Sequence, residues 1–203
     1  MTDTNTRPIK TALVSLSDKA GLEELARILE QAQVKILSTG NTAKKIREFG
    51  IKVTEVAEVT GVAEMLDGRV KTLHPKIHGG ILANRQIPNH LEQLKAQNID
   101  AIDLVAVNLY PFEKVAAIEE TDEQTLIENI DIGGPTMIRA AAKNHADVTV
   151  ITDPSDYKRL GEELNTNGGT TLEFRRLLAL KAFGQTARYD QLINETLNLR
   201  LSK

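Results

Sequence analysis

The sequence predicts an α/β protein in which helices flank a mostly parallel sheet. Short stretches typical of buried strands alternate with stretches of helical periodicity along most of the chain, a pattern typical of parallel sheets. The chain has 203 residues, enough for one good-sized α/β domain and a smaller helical appendage. Only 3% of the residues are aromatic, so the core must consist of Val, Ile, Leu and Ala side chains.

Strand and helix patterns follow one another from residue 11 onward. Apolar residues at positions 22, 25, 28, 29 and 32 share one helix face, Gly50 ends the next helix, and Pro135 suits the first turn of a later one. We expect strands at residues 11–17, 34–38, 52–56, 103–110 and 147–151. We expect helices at residues 22–32, 42–49, 90–97, 123–129, 157–165 and 172 to about 199. Residues 131–135 lead into a further helix that runs to about residue 144.

The middle of the chain departs from this alternation. Residues 57–85 show no steady period and are interrupted by glycine and proline, and an irregular region of that length usually has a functional reason. We divide the chain into a flexible N-terminal arm at residues 1–10, an α/β domain at residues 11–165 and a C-terminal helical extension at residues 166–203.

Composition excludes several classes of protein. No uninterrupted apolar run approaches the ~20 residues that a membrane-spanning helix needs, and the polar N-terminus has no signal-peptide pattern. The absence of Cys excludes disulfides, thiolate metal sites and a Cys nucleophile. A net charge of −3 gives no indication of a nucleic-acid-binding surface. We therefore expect a cytoplasmic enzyme or small-molecule-binding domain with no nucleic-acid or membrane partner.

Two loops rich in hydroxyl groups follow the first two predicted strands and lead directly into helices. Ligands of open α/β sheets bind beyond the carboxyl ends of the strands, and a helix N-terminus attracts anions. The loops therefore indicate a phosphate site, although the same residue types also serve merely to cap helices. The candidate residues are Ser15, Ser17, Lys19, Ser38, Thr39, Gly40 and Thr42.

The irregular middle carries a pair of basic residues. Arg69 and Lys71 point to the same side of an extended segment, next to Thr72, which suits the neutralisation of an anion or a developing oxyanion. A solvated basic loop is the plainer interpretation. His74 and His78 have a metal-like spacing, but a proline separates them and no acidic partner stands at a recognised spacing, so we expect no metal site.

Two further pairs of polar residues stand at the ends of predicted elements. Asn108 and Tyr110 end a buried strand and share a face, so both side chains look into a cleft unless the Tyr packs and the Asn forms a turn. Asp131 and Lys143 bracket a predicted helix. A carboxylate and an ammonium brought together tune each other's pKa, as in acid–base pairs. A capping Asp and a surface Lys are the alternative.

Five strings of the sequence resemble the inosine monophosphate (IMP) cyclohydrolase domain of the bifunctional purine-biosynthesis proteins. Those proteins also carry an aminoimidazole carboxamide ribonucleotide (AICAR) formyltransferase domain. The strings are SLSDKAG at 15–21, LSTG at 37–40, MLDGRVKTLHPKIHGGI at 65–81, VNLYPF at 107–112 and IDIGGPTMIRAAAKNH at 130–145. The resemblance extends from about residue 11 to residue 199.

This resemblance implies a methylglyoxal-synthase-like fold and the last step of de novo IMP synthesis. In that step, 5-formamidoimidazole-4-carboxamide ribonucleotide closes its second ring and loses water, without a metal or an organic cofactor. The family also implies a homodimer. Apolar residues of the terminal helices are expected to pack on the sheet or on a partner subunit, namely Leu172, Leu177, Leu178, Leu180, Ala182 and Phe183.

The resemblance also implies roles for the candidate residues. The two hydroxyl-rich loops match the family's ribose-phosphate loops. Arg69, Lys71 and Thr72 match the motif at the reacting base, and Asn108, Tyr110, Asp131, Gly133, Gly134 and Lys143 match the rest of the pocket. As a hypothesis, Lys71 stabilises or protonates the formyl oxygen and Asp131 holds and deprotonates the carboxamide. Tyr110 and Lys143 would complete the hydrogen-bonding and charge network.

Two features depart from the family pattern. Asn41 stands where the family usually has a second Gly, and Asn tolerates a left-handed backbone better than other non-Gly residues. The chain stops at Lys203, where the bifunctional proteins continue into a transformylase half whose motif contains Cys. Because this chain has no Cys, we expect it to lack transformylase activity.

Two other functions remain open at the level of sequence. Methylglyoxal synthase shares the fold and the phosphate loops, but the strings at 69–81 and 131–145 resemble the cyclohydrolase alone. A regulatory nucleotide-binding module, like the effector domain of carbamoyl-phosphate synthetase, would need the phosphate loops. It would not need Lys71, Asp131 or Lys143.

Overall fold

A single five-stranded parallel sheet forms the centre of the molecule in the computed structural model, which describes residues 5–66 and 68–201. The strands are β1 (Thr11–Leu16), β2 (Lys35–Ser38), β3 (Thr54–Glu55), β4 (Leu104–Asn108) and β5 (Thr149–Ile151). Their order is β3-β2-β1-β4-β5, and every pair is parallel. The α/β prediction is confirmed.

Helices surround this sheet and account for most of the remaining described residues. The first five are α1 (Leu22–Gln31), α2 (Gly40–Glu48), α3 (Val56–Thr60), α4 (Pro75–Leu82) and α5 (Pro88–Ala96). The others are α6 (Phe112–Ala116), α7 (Glu123–Glu128), α8 (Gly133–Lys143), α9 (Tyr157–Asn167) and α10 (Leu172–Leu201).

The central strands are buried on both faces, as expected for a parallel sheet covered by helices. β1 and β4 pair from Ala12 opposite Leu104 to Leu16 opposite Asn108, and the apolar side chains of both strands are almost inaccessible to solvent. The strand order reverses between β1 and β4. In open α/β sheets, a crevice at the carboxyl ends of the strands opens at such a reversal, so this is where a ligand site is expected.

The middle of the chain is more regular than its sequence pattern predicts. Residues 57–85 were expected to be irregular, yet they contain nearly all of α3 and the whole of α4. Pro75 begins α4, where its missing N–H needs no partner, and Nδ1 of His74 accepts a hydrogen bond from the N–H of Lys76 at 3.1 Å. Residues 61–66 and 68–74 therefore form most of the irregular part. They lie at the carboxyl edge of the sheet.

The C-terminal helix α10 belongs to the same hydrophobic core as the sheet. It packs on α8 and β5, and it buries Phe174, Leu178 and Ala182. Leu177, Leu180 and Phe183, also expected to pack, are exposed. Residues 1–4 of the N-terminal arm lie outside the described residues, and Arg7 pairs with Thr170 in an antiparallel bridge. Within the described residues, no helix combines the length and apolarity that crossing a membrane requires.

Candidate active site

Asn108, at the end of β4, organises the loop that follows β1. Its Oδ1 accepts hydrogen bonds from the N–H groups of Ser17 at 2.5 Å and Asp18 at 3.1 Å, and its Nδ2 donates to the Asp18 carbonyl at 2.8 Å. The strand end and the loop are thus joined across the crevice. The structure brings Asn108 and Ser17 together, and it uses the amide of Asn108 to shape the loop.

The same loop carries Lys19, whose ammonium turns back onto the end of β1. Its Nζ donates to the carbonyls of Leu16 at 2.5 Å and Ser17 at 3.1 Å. Burial lowers the pKa of Lys19, opposed by the nearby charge of Asp18. An anion bound at this loop would relieve that desolvation cost because it supplies a charge partner. Ser15 lies within β1 and is half-buried.

The hydroxyls of Ser38 and Thr42 bind the backbone of β1. Ser38 is fully buried and donates to the Val14 carbonyl at 2.7 Å. The Thr42 hydroxyl donates to the Leu16 carbonyl at 3.0 Å and accepts from the Leu16 N–H at 3.2 Å. These two side chains therefore fix the start of α2 against β1, so the backbone N–H groups of the loop are its main remaining donors.

The N-terminus of α2 faces open space and lacks a side-chain cap. Thr39 stands at the N-cap position without a capping hydrogen bond from its side chain, and the first N–H groups of a helix have no acceptor within the helix. Gly40 has a φ of +49°, and no atom lies within 4 Å of where its Cβ would stand. Free donors, the positive end of the helix and open room together suit an anion.

Lys71 lies across a cleft from this helix start. The cleft has a volume of about 260 Å³ and is lined by Thr39, Gly40, Glu55, Val56, Ala57, Val62, Glu64 and Lys71. The Nζ of Lys71 is 3.9 Å from Oε2 of Glu64, and its side chain is 31% exposed. The ammonium is therefore held near the cleft by a long ion pair and remains accessible to a ligand.

Asp131 precedes α8 and is a half-buried carboxylate at this edge. Its Oδ1 accepts a hydrogen bond from the N–H of Gly134 at 2.8 Å. Burial raises the pKa of Asp131, opposed by hydrogen bonds from the N–H groups of Gly134, Tyr110 and Gly133 and by the charge of Lys71. A carboxylate whose pKa is raised by burial is a stronger base than a solvated one, which suits proton abstraction.

The two glycines at the start of α8 allow its close approach to neighbouring residues. A Cβ at Gly134 would overlap the Asp131 carboxylate and stand 2.7 Å from Cδ2 of Leu109. A Cβ at Gly133 would stand 2.9 Å from Oγ1 of Thr72, which is itself buried. The structure thus brings Thr72, Tyr110, Asp131, Gly133 and Gly134 together, and Asp131 also senses the charge of Lys71.

Comparison with known proteins assigns this architecture to a family. The profile of the MGS-like domain matches residues 21–136, more than half of the chain. The chain belongs to the MGS-like domain family. A second profile, described as AICARFT/IMPCHase bienzyme, matches residues 141–202, a range that contains α10.

Two relatives extend this assignment beyond the MGS-like domain. "Bifunctional purine biosynthesis protein PurH" of Acetivibrio thermocellus is 53% identical over 195 residues, which are 96% of this chain and 38% of that protein. The chain thus spans well under half the length of this relative. A solved structure described as "Crystal structure of ForH" is 34% identical, with a TM-score of 0.80 over 93% of this chain and 99% of that one. The resemblance to the cyclohydrolase part is confirmed.

Arg69 and Lys143 lie apart from the central group of this MGS-like domain. The Arg69 guanidinium forms a two-point ion pair with Glu128 of α7, with Nε to Oε1 at 3.0 Å, and both side chains are exposed. Lys143 is the last residue of α8 and is exposed, about 15 Å along the helix axis from Gly133 at ~1.5 Å rise per residue. The structure does not bring Lys143 to Asp131. Asp67, within the string at 65–81, lies outside the described residues.

Some residues of the site escaped the sequence analysis. Glu55 and Glu64 line the cleft, Glu128 pairs with Arg69, and the hydroxyl of Tyr189 accepts a hydrogen bond from the N–H of Asp131 at 2.9 Å. Tyr189 is distant from Asp131 in the sequence, and it belongs to the helix that was predicted to be a C-terminal extension. The only available signal was that it is one of three Tyr residues in the sequence.

Proposed function

We propose that this MGS-like domain is an IMP cyclohydrolase, which closes the second ring of 5-formamidoimidazole-4-carboxamide ribonucleotide to form IMP and water. The observation that carries the proposal is a carboxylate, Asp131, held by the N–H of Gly134 at the carboxyl edge, where burial raises its pKa and the charge of Lys71 acts on it. The similarity to a protein described as bifunctional in purine biosynthesis supports it.

The anion-binding features of the carboxyl edge suit the ribose phosphate of such a substrate. The uncapped start of α2 offers N–H groups beside open space at Gly40, and Lys19 supplies a positive charge from the adjacent loop. A phosphate at the start of α2 would lie in the cleft that Lys71 also lines. Substrate binding and chemistry would then use different ends of one continuous crevice.

Ring closure needs one bond to form and one molecule of water to leave. The carboxamide nitrogen attacks the formyl carbon and loses a proton, and the formyl oxygen gains one. That oxygen then leaves as water with a second proton, which comes from the formamide nitrogen. In the proposed scheme, Asp131 accepts the carboxamide proton and Lys71 protonates the formyl oxygen. Since an amide is a poor nucleophile, orientation supplies much of the rate.

The observations that support a role in this scheme differ between Tyr110 and Lys143. The N–H of Tyr110 contributes to the environment of Asp131, and its ring is exposed at the same edge. Tyr110 would therefore hold the base or the carboxamide by hydrogen bonding. A role for Lys143 stays a prediction from the resemblance, because this residue lies at the far end of α8.

The direct test is turnover of the formylated carboxamide ribonucleotide by the purified chain, with chelator present and folate absent. Ring closure is followed by its absorbance change. The variant Lys71→Ala is expected to lower kcat by roughly 10²–10⁴-fold, the usual effect of losing a positioned acid, with a smaller change in IMP affinity. Lys35→Ala is the matched control, because that lysine pairs with the exposed Asp100 away from the cleft.

The same assay separates the competing functions. Tight IMP binding without turnover would favour a regulatory nucleotide-binding module. Conversion of a triose phosphate to methylglyoxal instead of ring closure would favour the synthase. Equal losses of turnover and IMP affinity in Lys71→Ala would show that this lysine binds the ligand without a specific part in the chemistry.

A further inference from the structure

We propose that Tyr189, on the C-terminal helix α10, is a positioning residue that holds the Asp131 and Tyr110 segments in their reactive arrangement. This inference rests on the proposed cyclohydrolase function. It assigns to α10 a part in the chemistry, in addition to its part in the hydrophobic core.

The hydroxyl of Tyr189 binds the backbone on both sides of residue 130. It accepts the N–H of Asp131 at 2.9 Å and lies 3.4 Å from the Asn129 carbonyl, to which it donates. Burial raises the pKa of Tyr189, so the hydroxyl keeps its proton and serves as acceptor and donor at once. It thereby secures the short connection between α7 and α8, from which the Asp131 carboxylate projects.

The ring of Tyr189 packs against the segment that carries Tyr110. It stands edge-on to Phe112, with ring centroids 6.3 Å apart and an interplanar angle of 73°, a favourable aromatic geometry. Phe112 is almost completely buried at the start of α6, and its N–H donates to the Tyr110 carbonyl at 2.8 Å. One side chain therefore contacts the connections that carry two of the candidate catalytic residues.

These contacts explain why the site needs a helix beyond the MGS-like sheet. Asp131 lies within the range matched by the MGS-like profile, whereas Tyr189 lies within the range matched by the bienzyme profile. Leu109 and Ile130 pack in or against the core in the connections after β4 and α7, and Tyr189 adds its contacts to Phe112 and Asp131. A displacement of the Asp131 carboxylate by even a fraction of an ångström is costly, because amide attack depends on orientation.

The test is the variant Tyr189→Phe, which removes the hydroxyl and retains the ring. Loss of one hydrogen bond that acts mainly on the reactive geometry is expected to lower kcat about five- to tenfold, with KM within about twofold. Thr186→Val is the matched control. Thr186 is a buried hydroxyl one turn earlier on α10 that bonds only the Phe183 carbonyl among the described residues, so kcat should stay at the wild-type value.

Amide hydrogen exchange of the wild-type chain tests the contact without a variant. The Asp131 N–H is expected to be protected, and in Tyr189→Phe its exchange should accelerate while amides of β4 keep their protection. Exchange of this amide at the unprotected rate in the wild type would overturn the proposal. So would equal kcat values for Tyr189→Phe, Thr186→Val and wild type. A wild-type chain without turnover would instead refute the cyclohydrolase function, and the exchange data would still decide whether Tyr189 holds Asp131.

Discussion

The two edges of the sheet use charged residues in opposite ways. At the amino edge, the Asp103 carboxylate accepts hydrogen bonds from the N–H groups of Lys10 at 2.7 Å and Thr11 at 2.8 Å, and from the Arg85 guanidinium at 2.5 Å. At the carboxyl edge, Lys71 keeps a long 3.9 Å ion pair, and Asp131 carries a pKa raised by burial. The Asp103 carboxylate is thus engaged in three hydrogen bonds, one of them from a guanidinium, whereas the Lys71 ammonium keeps only a long ion pair among the described residues.

Arg175 is a second charged residue of the amino edge whose side chain is engaged in hydrogen bonds. It is 1% exposed, and its guanidinium donates to the carbonyls of His145 at 2.9 Å, Ala146 at 3.1 Å and Asn5 at 3.1 Å. Burial lowers its pKa to about 10. The difference between the edges shows that buried charge alone does not identify a functional site. An incompletely satisfied charge beside a cleft is the better indicator.

The strongest loss of activity is expected from a change at the carboxyl edge. The variant Asp131→Asn removes the base and keeps an oxygen that can accept the Gly134 N–H. We expect kcat to fall by roughly 10²–10⁴-fold while IMP binding changes far less. Steady-state kinetics and calorimetric titration with IMP measure the two quantities. A parallel loss of both would mean that Asp131 serves binding and not proton transfer.

At the amino edge the expected effect is on stability. Asp103→Ala leaves the Arg85 guanidinium and two backbone N–H groups without their acceptor, so the free energy of unfolding should fall by about 3–5 kcal/mol. The kcat of the folded fraction should not change. Urea denaturation measures the loss, and Asp100→Ala is the control, since Asp100 forms an exposed ion pair. A large activity loss in folded Asp103→Ala would end the distinction between the two edges.

A smaller effect on stability and activity is expected at Gly134, whose backbone lies against the Asp131 carboxylate. Gly134→Ala places a methyl group against Asp131 and Leu109, which should cost about 1–3 kcal/mol of stability and displace the carboxylate. The control is Gly184→Ala within α10, where the nearest atom is the flexible Arg188 side chain and Ala should stabilise the helix by up to about 1 kcal/mol. Thermal unfolding and kcat distinguish them. Full activity in Gly134→Ala would contradict the close approach.

The smallest expected effect is a shift in the pH dependence of kcat. Since the pKa of Asp131 is raised, the acid limb of kcat should lie above the pH at which an ordinary aspartate titrates. The folded chain binds this proton more tightly than the unfolded chain does. The contribution of Asp131 to stability therefore decreases as pH rises from its unfolded pKa through its folded one.

Removal of the Lys71 charge provides a second test of the pKa of Asp131. Because that charge lowers the pKa of Asp131, Lys71→Met should move the titration of the Asp131 carboxyl to still higher pH. Carbon-detected NMR of the carboxyl group measures the shift directly. A titration that moves downward or stays in place would show that the two groups do not interact.

Much of the fold was predicted from hydrophobic periodicity and from the positions of glycine and proline. The strands at β1, β2, β4 and β5 and the longer helices stand where the alternation of patterns predicts them, within a few residues at their ends. The regularity of residues 75–82 was missed, because one proline and two glycines in that region are typical of loops, although Pro75 suits the first turn of a helix. The five-residue α6 was missed because so short a helix has no measurable period.

Local patterns and contiguous strings in the sequence were sufficient to predict the α/β class, the hydroxyl-rich loops at the strand ends and the family, because each of these depends on residues that are close together in the chain. Other relations are visible only in the folded arrangement: Ser38 and Thr42 bind the β1 backbone, Lys143 lies a helix length from Asp131, and Tyr189 contacts Asp131. These relations join residues far apart in the chain. Strand order and helix packing set them, and no local period in the sequence encodes either one.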